Sequence, residues 1–198
     1  MKVIDCGIGL ERIAWLNNGS ATSYSDTFKN AMEYFMQQTG VELNQEIWEK
    51  FGPYSCTLNI DEVENIEETW AALALKIDVP VEDLKSSIQI VKEMFIILDH
   101  TRTILITISD GSLPSNVGGG GNVRNILRRC FAIMKQRGWW EQLGMDGFLE
   151  IFNMHKKDLE GIYGVFPQYM SFREIIEVEY ERWLNTDEAQ TVILKKLL

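Results

Sequence analysis

The sequence predicts an all-α protein, a helical bundle-like body carrying a short N-terminal β-strand stub. Three observations lead there. Apolar residues recur three or four apart through most of the chain, as in Leu84, Ile88, Val91, Phe95 and Leu98, the spacing that gathers one face of an α-helix. Helix punctuation bounds these segments: Asp26 and Ser171 stand at starts, and Gly40, Gly52-Pro53 and Gly138 at ends. Only Lys2 to Asp5 reads as a strand.

In chain order, that strand runs into a glycine turn at Gly7 and Gly9, followed by a helix over Leu10 to Leu16. A lone strand leaves its backbone groups unpaired, so the chain is expected to begin in the middle of a sheet domain. Asn17 to Ser25 is turn-rich. Asp26 is expected to cap a helix over Thr27 to Gln38, built on Phe28, Ala31, Met32 and Phe35 and closed by Gly40. Asn44 to Phe51 reads as a short helix stopped by Gly52-Pro53. Asp61 to Lys76 is acidic at its start and apolar at its end, as a helix dipole prefers. Val81 to Ile108 holds one long helix or two end to end. Its β-branched run Thr101 to Ile108 favours a strand by propensity, but it continues the preceding helical period and is read as helix. Asp110 to Gly121 is a loop, and Asn122 to Arg137 a helix ended by Gly138. Trp139 and Trp140 are expected to close the core. Met145 to Lys157 and Ser171 to Leu198 are further helical segments, the last opened by a Ser171/Glu174 capping box. That makes five to eight helices, with no internal repeat and no flexible linker.

With 198 residues, 45% of them hydrophobic, the chain can bury one core, or a stub plus one domain. Cys6, Cys56 and Cys130 are odd in number and show no metal-ligand spacing, which points to a reducing, cytoplasmic setting. His100 and His155 are the only histidines, so no zinc site is expected. No apolar run approaches the roughly 18 to 20 residues that span a membrane, so no membrane partner is expected. Asp5 and Glu11 stand where a signal peptide needs an apolar stretch. The net charge of −10 argues against nonspecific nucleic-acid binding, but the charge is uneven. From Arg102 to Arg137 there are six basic residues (Arg102, Arg124, Arg128, Arg129, Lys135, Arg137) and one acid, Asp110. The window carries +5 and the remainder −15. A basic patch on an acidic body suits local contact with a polyanion. The plainer alternative is a solvated helix face.

Within that window, Asp110 to Arg129 carries four consecutive glycines, Gly118 to Gly121. They are costly to order and precede a helix whose first turns hold Arg124, Arg128 and Arg129. Arg124 and Arg128 share a face. Free amides at a helix start together with guanidinium groups make a phosphate site. The Lys-Ser/Thr ending of a nucleotide P-loop is absent, and no strand leads into the glycines as a dinucleotide fold requires. A loop that grips a nucleic-acid backbone remains, beside the alternative of a flexible connector. A second feature is Asp5-Cys-Gly-Ile-Gly-Leu-Glu-Arg12, where two glycines let backbone approach a ligand and Arg12 can meet a phosphate or a base plane; a tight turn with a surface arginine is the plainer reading. A third is Leu98 to Thr103, where Asp99, His100 and Arg102 interrupt an apolar helix and can form a buried polar cluster. No Ser/His/Asp or Cys/His arrangement is present.

Taken together, these segments resemble the alanyl-tRNA synthetases. Gly7-Ile-Gly-Leu-Glu-Arg12 is similar to class II synthetase motif 3, with Asp5 at that family's aspartate. Asp99-His-Thr-Arg102, Asp110-Gly, Pro114-Ser-Asn116, Arg124 and Arg128-Arg129 follow the family's helical-domain signature in order and spacing. Asn59 to Asn65 and Ile97 to Thr103 resemble the archaeal type. The likeness runs from Lys2 to about Leu184. It implies that residues 1–25 are the remnant of a class II aminoacylation domain and 26–198 a helical tRNA-recognition domain. It implies an intact parent that activates alanine with ATP, Mg²⁺ assisting, and attaches it to the 3′ end of alanine tRNA. By the same resemblance Asp5 would hold the amino group of alanine, Gly7 and Gly9 would line the adenylate pocket, and Arg12 would bind ATP. Asn116 would lie at the acceptor-stem G·U pair that identifies alanine tRNA. Arg124, Arg128 and Arg129 would steady tRNA phosphates or the domain core, and His100 and Arg102 would be structural.

Two departures stand out. Gly121 occupies the place where the family usually has an aromatic residue. Motifs 1 and 2, the family's Tyr-Asp segment whose aspartate partners the loop asparagine, and the editing-domain ligands are not in the chain. The isolated chain is therefore expected to be inactive and to bind neither ATP nor metal, recognising the acceptor stem rather than DNA. A stand-alone RNA-binding or scaffold protein related to synthetases is the alternative, to be separated by the reading frame of the gene.

Overall fold

Start and stop residues set most element boundaries. The computed structural model describes residues 7–58, 65–164 and 172–197. Among them run α1 (Leu10–Asn18), α2 (Ser23–Thr27), α3 (Lys29–Thr39), α4 (Gln45–Phe51), a 3₁₀ segment (Gly52–Leu58), α5 (Ile66–Ile77), α6 (Val81–Ser109), α7 (Gly118–Gln136), α8 (Trp139–Tyr163) and α9 (Phe172–Leu197). The all-α expectation is borne out. The strand expected at Lys2 to Asp5 and the capping box at Ser171 lie outside the described residues.

Asn44 caps α4, its side-chain oxygen accepting from the Ile47 amide at 3.1 Å. Asn65 caps α5 by accepting from Glu67 and Glu68, and Glu67 and Glu68 also place negative charge on that positive end. Gly40 and Gly138 adopt left-handed backbone, φ 68° and 70°, and end α3 and α7 as expected. The run Thr101 to Ile108 is helical within the 29-residue α6, because its buried side chains continue the helical stripe and packing overrides the β-propensity of single residues.

Three local expectations need correction. Asp26 does not cap a helix. Thr22 does, accepting from the Ser25 amide, and Phe28 (φ −121°) divides α2 from α3. The Asp26 carboxylate instead accepts from the Asn18 amide and the Ser20 hydroxyl at 3.0 and 2.7 Å. Gly52 ends α4 as expected, its amide donating to the Trp48 carbonyl, and a 3₁₀ segment then runs on to Leu58, proline being tolerated in a first turn. α7 starts at Gly118, four residues earlier than expected. α8 starts at Trp139, with Gly144 (φ 59°, ψ −170°) breaking it where the expected helix was to begin.

The chain divides into two compact units, Met1–Met36 with Gly40–Phe95, and Gln37–Thr39 with Ile96–Leu198. In the first, Phe95 of α6 is stacked by Tyr24 at 4.7 Å between ring centroids and met edge-on by Trp48 at 5.8 Å, while Phe51 stacks on Trp70. In the second, α7 packs on α8 and on α9. Its core is aromatic: Phe131 is fully buried among Trp140, Phe148, Tyr180 and Trp183. Trp139 is buried and Trp140 stacks on Tyr180 at 4.2 Å, so both tryptophans close the core as expected.

The buried polar pair on α6 differs from the expected cluster. Asp99 is more than half exposed, and its carboxylate lies 3.5 Å from His100 Nδ1. The buried partners are Thr101 and His155 of α8, with the hydroxyl 3.1 Å from the imidazole Nε2. Burial pushes His155 down to about 4, and the charge of Arg102 adds to this. The unfolded chain takes up that proton at about pH 6.5 while the folded one resists it. Stability from His155 is thus complete above about pH 6.5, declines toward about pH 4, and is level below that, a total of roughly 3 kcal/mol as an upper limit. His155→Gln, which cannot titrate, is expected to flatten the thermal midpoint between pH 6.5 and 4 relative to the parent. Parallel pH profiles for the two proteins would refute this role.

Candidate nucleic-acid interface

The basic window folds around the turn between α6 and α7. α6 ends in a Schellman motif: the Gly111 amide donates to Ile108 and the Ser112 amide to Thr107, at 2.9 and 3.0 Å, with Gly111 at φ 92°. The chain then folds back on the glycines. The Ser115 amide donates to the Gly120 carbonyl at 3.0 Å, and the Ser115 hydroxyl donates to the Val117 carbonyl at 2.8 Å. These bonds recruit Gly118 to Gly121 into the first turn of α7, offsetting the roughly 1 kcal/mol per residue that glycine costs a helix. Gly118 takes φ 61°. A Cβ on Gly120 would fall on the Leu113 carbonyl oxygen and the Ser115 side chain, so that position admits no other residue without a shift. Gly121 is different: a Cβ there would make ordinary contact with the Asn116 backbone at 3.5 Å.

α7 buries Val123, Leu127, Cys130, Phe131 and Met134, which turns Arg129 to solvent and leaves Arg124 and Arg128 part-buried. The donors of Arg124 are committed inside the unit. Its Nε and Nη2 fork onto the two carboxylate oxygens of Glu179 on α9, at 2.7 and 2.8 Å. Its Nη1 donates to Asn116 Oδ1, and Nη2 reaches the Pro114 carbonyl at 3.4 Å. The side chains of Arg124 and Glu179 are 12% and 4% exposed. Arg182 adds a second cation to Glu179 at 2.9 Å. Burial works to raise the Glu179 carboxyl, yet the hydrogen bonds and charges of Arg124 and Arg182 hold it below the ordinary range; Arg124 is raised in return, first by its hydrogen bond to Glu179.

Asn116 itself is exposed. Its oxygen is occupied by Arg124, and its amide nitrogen has no hydrogen-bond partner among the described residues. The site thus presents one oriented amide donor beside the open amides of a helix start, with the guanidinium groups of Arg128 and Arg129 following on α7. Arg128 Nε is buried with no hydrogen-bond partner among the described residues.

The second expected cluster lies in the other unit. Gly9 takes φ 86° as the residue before α1, a conformation that favours glycine, and nothing stands within 4 Å of a Cβ built on Gly7. Arg12 is exposed on α1, whose residues are all outside the core. Asp5 lies outside the described residues.

A family model described as tRNA synthetases class II (A) matches residues 1–198, the whole chain. The chain belongs to this class II synthetase family. Among relatives in the same family, the alanine–tRNA ligase of Methanocella arvoryzae is 36% identical over 197 residues, spanning 100% of this chain and 22% of the relative. That of Methanothermobacter thermautotrophicus is 31% identical over 202 residues, with the same coverages, and that of Halobacterium salinarum 33% identical over 190 residues, 94% of this chain and 19% of the relative. The chain therefore spans about a fifth of the length of the curated relatives it matches. The resemblance to archaeal-type alanyl-tRNA synthetases is borne out. Glu179 is the site residue that sequence reasoning missed in this synthetase segment. The signal was available: it interrupts the apolar stripe Phe172, Ile176, Trp183 of α9 at helical spacing, and an acid at a core position requires a buried cation.

Proposed function

We propose that the chain is the segment of an alanine–tRNA ligase running from motif 3, in residues 1–25, through a helical domain, residues 26–198, that recognises the acceptor stem of alanine tRNA. The intact enzyme would activate alanine with ATP and Mg²⁺ and transfer it to the tRNA 3′ end. The observation that carries this reading is the exposed Asn116, oriented by Arg124 beside a helix start that bears arginines. An oriented amide can read a base edge in the shallow A-form minor groove, while Arg128 and Arg129 hold phosphates without regard to sequence.

The residues present fit part of an ATP site. The open backbone at Gly7 and the exposed Arg12 can receive a nucleotide, and by the family resemblance Asp5 would hold the ammonium of alanine. When bound, ATP supplies the leaving pyrophosphate. α1 exposes Ile8 before it and Leu10, Ile13 and Leu16 on it, a surface that the rest of a catalytic domain would cover. The chain alone is expected to show no alanine-dependent pyrophosphate exchange; clear exchange above a buffer control would overturn the proposal for residues 1–25. For the helical domain, Arg128→Ala should weaken binding to every acceptor stem and reduce the salt slope by about one. In the full-length ligase, Asn116→Ala should instead narrow the gap between a G·U stem and its G·C twin by roughly 1 to 3 kcal/mol. An unchanged gap would remove Asn116 from the reading.

A further inference from the structure

We propose that Glu179 and Arg124 are positioning residues for base-pair selectivity: the buried carboxylate clamps the guanidinium, and the guanidinium fixes Asn116 with its amide donor facing outward. This deepens the reading of Asn116 given above and rests on it. The family resemblance implies that Arg124 steadies phosphates or the core; its fork is taken by Glu179 and its remaining arm by Asn116. A phosphate would have to displace a partner that is itself buried and charged. An exposed asparagine in water samples both flips of its amide and several rotamers. Here one flip places the oxygen on a cation, and the other would turn the NH₂ against the same cation. The planar guanidinium, held at two points, leaves little freedom to its third. Asn116 is thereby ordered before RNA arrives, which removes an ordering cost from recognition. Because the oxygen is taken, the group offered is a donor, and its partner on the RNA is an acceptor: a base-edge oxygen or ring nitrogen, or a ribose hydroxyl.

Among the described residues, Arg124 and Glu179 are the ones that orient the loop asparagine. Asn116 lies in the turn before α7 and Glu179 follows it by 63 positions, on α9, so selectivity at the loop would depend on α9 keeping its register against α7.

The test compares two acceptor-stem RNA duplexes, one with the G·U pair and one with G·C, binding to the chain and to the full-length ligase at two salt concentrations. Arg124→Lys keeps the charge but cannot bridge Glu179 and Asn116 at once. Glu179→Gln keeps the shape but removes the clamp's charge. Each is expected to weaken the G·U stem about tenfold, change the G·C stem less than about twofold, and leave the salt slope unaltered. Each combined with Asn116→Ala should add no further loss. A retained G·U preference in both single variants would overturn the proposal. So would equal weakening of both stems, which marks a merely structural pair, and so would a fallen salt slope in Arg124→Lys, which marks a phosphate contact. If Asn116→Ala alone leaves the preference intact, or the parent shows none, the reading of Asn116 fails first. If Glu179→Gln does not fold, as judged by its thermal midpoint, Arg124→Lys decides.

Discussion

Phe131→Ala is expected to destabilise the second unit by about 3 to 5 kcal/mol, the range for removing a fully buried ring from a core. The side chain has no solvent exposure and meets four aromatic neighbours, Trp140, Phe148, Tyr180 and Trp183, with centroids 5.1 to 5.8 Å away. Three of these contacts are edge-on or strongly tilted, geometries that add about 0.5 to 1.5 kcal/mol each beyond area burial. The cavity cannot close easily. Its walls are rigid rings contributed by two helices, α8 and α9, and Trp140 is already stacked on Tyr180. For a unit of about 100 residues the loss should lower the thermal midpoint by more than about 10 °C. Tyr163→Ala, at a side chain 71% exposed, should change stability by less than about 0.5 kcal/mol. Thermal unfolding followed by tryptophan fluorescence reads both. A cost below about 1 kcal/mol for Phe131→Ala would mean that the aromatic cluster is not the core of this unit.

Arg124→Met is the second large effect. It leaves Glu179 buried with only the half-exposed Arg182 as partner. Breaking one side of a buried pair costs about 3 to 5 kcal/mol because the remaining charge is uncompensated. Arg182 brings the expectation to the lower end, about 3 kcal/mol. Acid gives the loss a signature. In the parent, Glu179 is held below its unfolded value, so its contribution is present above about pH 4.5 and is lost as pH falls through the folded value. Without Arg124, burial is left to raise the carboxyl, so protonation relieves the defect and the gap to the parent should shrink as pH is lowered toward 5. Arg124→Met with Glu179→Leu should recover the parent's stability to within about 1 kcal/mol, since apolar replacements of a buried pair are often neutral. The double variant should nevertheless lose G·U preference, which separates holding the fold together from aiming Asn116. If Arg124→Met alone costs nothing, the pair contributes neither stability nor position.

Much of this protein follows from its sequence taken by itself. Local rules reach as far as one helix turn, and they found the end of α3 at Gly40, the end of α4 at Gly52 and the end of α7 at Gly138. Periodicity determined the all-α class and kept Thr101 to Ile108 in α6 against its propensity. The ordered motifs from Gly7 to Arg129 determined the synthetase family, because each depends on residue type and spacing alone. The rest was decided by contacts between residues far apart in the chain. Asp26 has the chemistry of a cap, but Asn18 and Ser20 offered it other donors. The glycines from Gly118 entered α7 because Ser115 folds back onto them. His155, not His100, became the buried histidine, because α8 places it against Thr101. Arg124 carries the same charge in any fold; only the tertiary structure brings Glu179 from α9 to its fork, turning one member of a basic window into an internal clamp on Asn116. Burying charge is affordable only where a partner arrives with matching geometry, and that arrival is a property of packing, not of local sequence.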